Sequence, residues 1–309
     1  MILVAACAAL SLTALPSAAA REAATPSAKV VFVDVGAGDA VIIRIGDTTV
    51  LSDIGEFNIA DLYEQLRKLG TDEIDAIILS HAHDDHIKNF ELLLDSGLYP
   101  VRRALLSRTD HWQMTETNRD VLRALRRHDV PRTYVRAGQV YHFGGARWTI
   151  LNPAAGAFTR RGQDGNVSIV YLLELNGKRL LFTGDIERAG EQAVLSRWNE
   201  SEPIDLMLAT HHGSRNASHT FFLDVVKPKV AVISVGKGHG HPHLDAVQRL
   251  RDTRANLWCT NWNGTVTATL PPSASGRIRI SGSRHRAAWW LRSEHKTRGP
   301  CVGKELEGE

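Results

Sequence analysis

The first twenty residues, MILVAACAALSLTALPSAAA, lack any charged side chain. Pro16 breaks their apolar run ahead of Ala18-Ala19-Ala20, the pattern of a secretory signal peptide over residues 1–20 with an A-x-A cleavage site. The mature chain is therefore expected to begin at Arg21 and to be secreted or periplasmic. Pro16 and the small-residue end argue against an uncleaved membrane anchor. Val4-Ala5-Ala6-Cys7 loosely resembles a lipoprotein cleavage box, but only Met1 to Leu3 precede it, which makes lipidation the minor alternative. Long apolar runs are absent beyond this leader, so a membrane channel is excluded from these residues. Cysteine is scarce: three in 309 residues, of which cleavage would remove Cys7 and leave Cys259 and Cys301. That is an even number in a compartment that permits disulfides, although the sequence does not show that the two meet. Internal repetition at a period of about 20 to 50 residues is missing, which excludes a solenoid or propeller. Strong charge is missing too: the net value of +3 and pI near 8.8 favour an anionic substrate without requiring one. Nothing indicates the oligomeric state.

What is present is an ordinary globular balance, 43% hydrophobic and 23% charged, read as one catalytic domain over residues 29–270 with a basic extension over 271–309. Lys29 to Asp53 alternates short β-rich runs with turns and predicts three strands. Ile59, Leu62, Leu66 and Leu69 fall at helical spacing ahead of Gly70. Ala76 to Leu79 is a short apolar run that predicts a buried strand, with a helix resuming from Ile87 to Leu94. A further strand is expected near Val101 to Ser107 and a helix over Thr117 to His128. Asn176-Gly177, between two β-rich runs, predicts a hairpin. The last third alternates again, with helices expected over Arg188 to Trp198 and Ala217 to Val226. Two groups of strands, each interleaved with helices, imply two packed sheets with helices outside. In the extension, Arg277, Arg279, Arg284, Arg286, Arg292, Lys296 and Arg298 occur with a single acid, Glu294, and with Trp289 and Trp290. Such a run is more often a solvated hairpin face than a nucleic-acid contact, and both readings stay open.

The densest chemistry is His81-Ala82-His83-Asp84-Asp85-His86, three imidazoles and two carboxylates in six residues directly after the buried strand. A loop leaving a strand end can converge these side chains, and neutral imidazole with carboxylate is the donor set of zinc, manganese or iron. This H-x-H-x-D-H loop resembles the metal-binding motif of the metallo-β-lactamase superfamily. Other segments resemble the hydrolase domain of ComEC-type competence proteins. They are Val33-Asp34-Val35-Gly36-Ala37-Gly38-Asp39-Ala40, Val167-Ser168-Ile169-Val170, Thr183-Gly184-Asp185-Ile186-Glu187, His211-His212-Gly213-Ser214, Ile233-Ser234-Val235-Gly236 and His241-Pro242-His243, in that order over about residues 30 to 270.

The resemblance implies an α/β fold, an αββα sandwich of two mixed β-sheets flanked by helices. It implies two divalent metal ions, zinc first and manganese as the alternative. His81 and His83 would hold the first metal, Asp85 and His86 the second, and Asp185 both. His211 or His212 would complete the second site, His211 being favoured. Asp53 would orient a ligand histidine from outside the ligand set. The chain departs from the family's pattern in two places. No histidine stands where many members supply a third one to the first metal, which leaves Asn166 or Asp164 as weaker oxygen ligands. Ser52-Asp53-Ile54-Gly55-Glu56 also replaces the commoner Asp-Gly-Gly.

Two metals about 3.5 to 4 Å apart can hold a bridging hydroxide and clamp a phosphoryl ester. The implied catalytic set is Asp85, His212 and His243, with a histidine protonating the leaving group and Ser214 and Ser218 as candidates for phosphate contact. Either serine also reads simply as a loop end or a helix cap. The expected function is a metal-dependent phosphodiesterase acting on an anionic phosphodiester, DNA included, and most readily a nuclease. The alternatives are a lactam or lactone hydrolase and a non-catalytic metal-stabilised binding protein.

Overall fold

A computed structural model describes residues 27–107, 115–156, 164–236, 240–284 and 301. The expected leader, with its alternative lipid box, and most of the basic extension lie outside these residues. Among the described residues, no helix is long and apolar enough to cross a membrane.

The chain begins with an antiparallel meander, β1 Ala28–Phe32, β2 Ala40–Ile45 and β3 Thr48–Ile54. Helix α1 Ile59–Lys68 then crosses to β4 Ala76–Leu79, parallel to β3. Short helices α2 Asp84–Ile87 and α3 Phe90–Asp95 precede β5 Ala104–Ser107. Helix α4 Glu116–Arg127, capped by the Thr115 hydroxyl accepting from Asn118 N at 3.1 Å, leads to β6 Arg132–Val135. Strands β4, β5 and β6 run parallel.

The second half repeats this plan. Strands β7 Val140–Phe143, β8 Ala146–Asn152, β9 Val170–Leu175 and β10 Lys178–Phe182 form an antiparallel meander, with Asn176-Gly177 turning β9 into β10. Parallel strands β11 Leu206–Leu208, β12 Val230–Ile233 and β13 Asn256–Cys259 follow, connected through α5 Arg188–Leu195, α6 Thr220–Val226 and α7 Leu244–Asp252. After α8 Thr260–Asn263 the chain returns to the first sheet as β14 Val266–Leu270 and β15 Arg279–Gly282. The result is two mixed sheets, ordered β15-β14-β1-β2-β3-β4-β5-β6 and β13-β12-β11-β10-β9-β8-β7.

Most of these strands are buried on both faces, which is why they read as continuous apolar runs. Between the sheets Phe32 packs on Phe182, which stacks on Tyr171 at 4.7 Å between ring centroids, with Trp148 beyond. Each such side chain contributes roughly 1.5 to 3 kcal/mol on burial. Outside the first sheet Leu62, Leu66, Phe90, Leu93, Val121 and Leu125 cover Val31, Ile42, Leu51 and Ile77. Outside the second, Val194, Phe222, Leu223, Val247 and Leu250 cover Leu172, Leu181, Met207 and Ala231. Four layers follow, the expected αββα sandwich.

The sheet continues past Leu270. Strand β15 is the start of the basic run, and Arg284 beyond it hydrogen bonds Asp34 Oδ2 at 2.6 Å and Asn261 O at 3.2 Å, so this guanidinium is part of the fold. Cys301 is joined to Cys259 by a disulfide, Cα to Cα 5.4 Å, fastening the extension to the end of β13.

Candidate metal centre

The chemistry-bearing residues collect at one edge of the sandwich, where the C-terminal ends of the parallel strands of both sheets meet. Strand β4 is wholly buried and ends at Leu79, so His81 emerges from the core at 0% exposure. Helix α2 starts earlier than the sequence pattern predicts, at Asp84 inside the histidine loop, and its first turn carries Asp85 and His86 to the same edge. From the second sheet, the turn after β10 delivers Asp185, whose N–H donates to Ser168 Oγ at 3.1 Å. The turn after β11 delivers His211 and His212, both with left-handed backbones (φ 46° and 49°). Bulky residues in that region mark a site whose surroundings over-determine it.

Asp185 stands at the centre. Its Oδ1 is 3.3 Å from His86 Nε2 and 3.3 Å from His212 Nε2, while its Oδ2 is 3.6 Å from His81 Nε2. Asp85 Oδ2 is 3.3 Å from His212 Nε2, and His81 Nε2 is 2.9 Å from His83 Nδ1. Among the described residues two groups of ligand atoms lie within 4.8 Å of one another, Asp39–His86–Asp185–His212 and His81–His83–Asp185, and Asp185 belongs to both.

The hydrogen bonds behind these rings decide what the site can hold. His86 Nδ1 lies 2.8 Å from Asp53 Oδ2, and Asp53 Oδ1 accepts from Ser80 N at 2.7 Å. His212 Nδ1 lies 2.8 Å from Ser234 O. A carbonyl oxygen only accepts, and an ionised carboxylate does the same, so both Nδ1 atoms donate, and in the neutral rings that a metal would bind both Nε2 atoms present lone pairs. Those two lone pairs stand 3.2 Å apart beside Asp185 and Asp85. A divalent cation would offset that arrangement, and imidazole with carboxylate is a donor set such ions accept.

The carboxylates draw positive charge to this edge, charge that a bound cation would supply in place of the protons on Nε2. Burial opposes a charge on His86, yet Asp185, Asp85 and Asp53 hold it well above its ordinary value; burial is likewise outweighed at His212 by Asp185 and Asp39. Burial also opposes ionisation of Asp185, but His212, His86, His211 and His81 keep its carboxyl well below the usual range, and His86 and His212 do the same for Asp85. Burial, then the charge of His86, pushes His81 well below its ordinary value, so it is a neutral donor. The edge favours positive charge between its imidazoles and neutral nitrogen beside them.

Several expectations change on this geometry. His212, not the favoured His211, completes the second group. The reason is the left-handed turn, which sends the second ring inward (5% exposed) and leaves the first at the rim. With Nδ1 on Ser234 O, His212 turns Nε2 toward Asp185 and Asp85, among the residues that could hold a metal. Asn166 is turned away as well, its Oδ1 accepting from Glu187 N and Gly190 N at 3.0 and 2.9 Å, which caps α5. Asp164 opens a 3-10 turn, Asp164–Val167, and its side chain lies outside the described residues. Ser218 is fully buried against Thr210, Oγ to Oγ1 2.6 Å, where no phosphate reaches. Ser214 is buried and accepts from Asn216 N at 3.3 Å. His243 stands apart, Nδ1 3.0 Å from His241 Nδ1. Burial pushes His241 down to about 4, helped by the charges of His212 and His211, and burial lowers His243, so neither carries a proton readily at neutral pH. Asp53 lies behind His86, with Oδ2 2.8 Å from its Nδ1.

Asp39 is the residue that the sequence pattern did not single out. It is 2% exposed, with Oδ1 3.4 Å from His212 Nδ1 and Oδ2 4.0 Å from His86 Nδ1. Its signal was the Gly-Ala-Gly-Asp turn. At Gly38, with φ +80°, an added Cβ would sit 1.6 Å from Asp85 O, so only glycine lets this loop pass beneath the ligand helix.

The Metallo-beta-lactamase superfamily profile matches residues 33–237. ComE operon protein 3 of Bacillus subtilis (strain 168) is 31% identical over 199 residues, covering 64% of this chain and 25% of that protein. Competence protein ComA of Neisseria gonorrhoeae is 25% identical over 266 residues, covering 84% of this chain and 34% of its own length. The chain thus spans between a quarter and about a third of these two curated relatives. Among solved structures, the metallo-beta-lactamase fold protein YhfI from Bacillus subtilis superposes with a TM-score of 0.51 at 13% identity, over 79% of this chain and 100% of that one, a likeness of fold.

Proposed function

The chain belongs to the metallo-beta-lactamase superfamily, and from that premise we propose that it is an exported two-metal phosphodiesterase that cleaves nucleic-acid strands. The observation that carries the reading is Asp185, whose two carboxylate oxygens face two separate imidazole groups. When bound, a pair of divalent metals supplies Lewis acidity and an activated water suited to phosphoryl transfer. His81, His83 and Asp185 would hold one, and His86, His212, Asp85 and Asp185 the other. Asp53 and Ser234 O hold a proton on each Nδ1, so each Nε2 would become a donor as the metal displaces its proton, with no turn of the ring. Export is supported by the leader pattern and by the Cys259–Cys301 bond, a feature of oxidising compartments. The name of the relative Competence protein ComA, and the exposed Arg277 before β15 and Arg279 at its start, support a nucleic-acid substrate.

The test is hydrolysis of a generic aryl phosphodiester. Wild-type protein should turn it over, a chelator should abolish turnover reversibly, and Asp185→Asn should reduce it by at least ~100-fold with the circular dichroism unchanged. Turnover of lactams or lactones alone would overturn the phosphodiesterase reading. Replacing Arg277 and Arg279 by Ala should weaken single-stranded DNA binding and lower its salt slope by roughly 1.4, leaving the small diester unaffected. Indifference to DNA at low salt would remove the nuclease part alone.

A further inference from the structure

The first ligand group is one side chain short. His81, His83 and Asp185 are three donors, and Asn166, the nearest sequence candidate for a fourth, is committed to capping α5. On the two-metal reading above, we propose that His211 is the fourth ligand of the first site, so that the twin histidine is divided, His212 serving one metal and His211 the other.

The orientation of Asp185 is the first argument. Oδ1 faces His86 Nε2 and His212 Nε2, each at 3.3 Å, whereas Oδ2 faces His81 Nε2 and His211 Nε2, each at 3.6 Å. His211 thus shares Asp185 Oδ2 with His81, approaching from the rim at 26% side-chain exposure and standing outside the 4.8 Å group of His81, His83 and Asp185 until it moves inward. The backbone is the second argument. His211 N donates to Gly184 O at 3.0 Å, next to Asp185, and His211 O accepts from Ser214 N at 2.7 Å, so the residue is pinned at both ends. In an extended strand neighbouring side chains diverge to opposite faces. Here two successive left-handed residues hold the rings 6.0 Å apart at 75°, which aims adjacent imidazoles at the two oxygens of one carboxylate.

The far side of the His211 ring is the third argument. Its Nδ1 is buried, makes no hydrogen bond, and stands 3.3 Å from Glu187 Oε1. A modest rotation of the ring aligns that pair. Glu187 then does for His211 what Asp53 does for His86, fixing the proton on Nδ1 and leaving Nε2 as donor. Three imidazoles and one carboxylate form a four-coordinate set for a borderline divalent transition metal.

The experiment is metal stoichiometry and affinity by elemental analysis and calorimetry with Zn2+, on wild type and on His211→Asn, since asparagine tolerates the left-handed backbone. Wild type should bind two ions. His211→Asn should keep the second site unchanged and weaken the first by at least ~10- to 100-fold, the loss that removing even an outer partner causes. Two ions bound with unaltered affinities by the variant would overturn the inference and leave the hydrolase reading intact. A wild type that binds one ion and still hydrolyses the diester would do the same. No bound ion at all would remove the two-metal reading itself. Should the variant fail to fold, carbethoxylation of the wild-type chain, mapped by mass spectrometry, decides: His211 should become protected as the first site fills, and His211 reactive at two bound Zn2+ would refute its role.

Discussion

The two halves of the molecule, residues 28–135 and 140–259, share one plan, an antiparallel meander followed by three parallel strands, yet they deliver ligands differently. The first half sends four candidate donors from a single loop, because β4 ends in the core and α2 starts at once, so one strand end and one helical turn place all of them. The second half sends Asp185 from one turn and His211-His212 from another, after two different strands. Each of these needs its own brace: Ser168 Oγ beneath Asp185 N, Ser234 O behind His212, and a left-handed backbone at both histidines. A contiguous motif takes its placement from one strand end and one helical turn, with Asp53 the one distant brace behind His86, and a dispersed one needs a brace at each turn.

The comparison can be pressed hardest at the tether. Cys259–Cys301 ties the extension to the second half across a sequence separation of 42, and closing such a loop stabilises by roughly 3 to 4 kcal/mol on the chain-entropy model. Cys301→Ser should lower the stability measured by denaturant unfolding by about that amount. A smaller effect is expected behind the ligands. Asp53→Asn removes the carboxylate from His86 Nδ1 and should weaken metal binding by ~10- to 100-fold. Asp39→Asn should cost less than ~10-fold, since Ser234 O already fixes His212 Nδ1. Equal losses in calorimetric titrations would mean that the second half's histidine depends on the first half for its brace, and the contrast between the halves would fail.

The same contrast explains how much could be read from sequence. The histidine loop was legible because its donors are adjacent and follow a four-residue apolar run. Asp185 and the twin histidine gained their meaning only from resemblance, since a Thr-Gly-Asp or a His-His pair carries no chemistry without knowing what it faces. Which histidine turns inward is set by φ at residues 211 and 212, a property of the surrounding turn. Asn166 stood at the expected place but became a cap, because α5 begins at Arg188 and its unpaired N–H groups needed an acceptor. Among the strands, β6 and β7 left no clear trace, and β15 was legible only in the hairpin reading of the basic run. They lie at sheet edges, with mostly exposed or half-exposed side chains, so no apolar alternation marks them. The central strands, buried on both faces, were plain.

The effect that needs the finest comparison concerns how the second half supports its histidine turn. Glu191 on α5 is fully buried; its Oε2 is 2.9 Å from His219 Nδ1, its Oε1 accepts from His219 N at 3.2 Å, and the Thr210 hydroxyl lies 3.5 Å away, directly ahead of His211. Burial pushes its carboxyl up to about 7, against the hydrogen bonds from His219 and Ser218 and the charge of Arg249. A carboxyl whose folded pKa is raised favours the folded state while protonated. Its contribution is therefore full below the ordinary glutamate value and is lost as pH rises through about 7. Unfolding by denaturant with a chelator present, which removes the pH dependence of metal binding, should show wild-type stability falling by about 1 to 3 kcal/mol between mildly acidic and mildly alkaline pH relative to Glu191→Gln. Glutamine does not titrate, so its curve should be flatter over that window. Parallel curves would mean that Glu191 keeps its charge inside the core, and that the turn bearing His211 and His212 rests on a buried carboxylate, as His86 in the first half rests on Asp53.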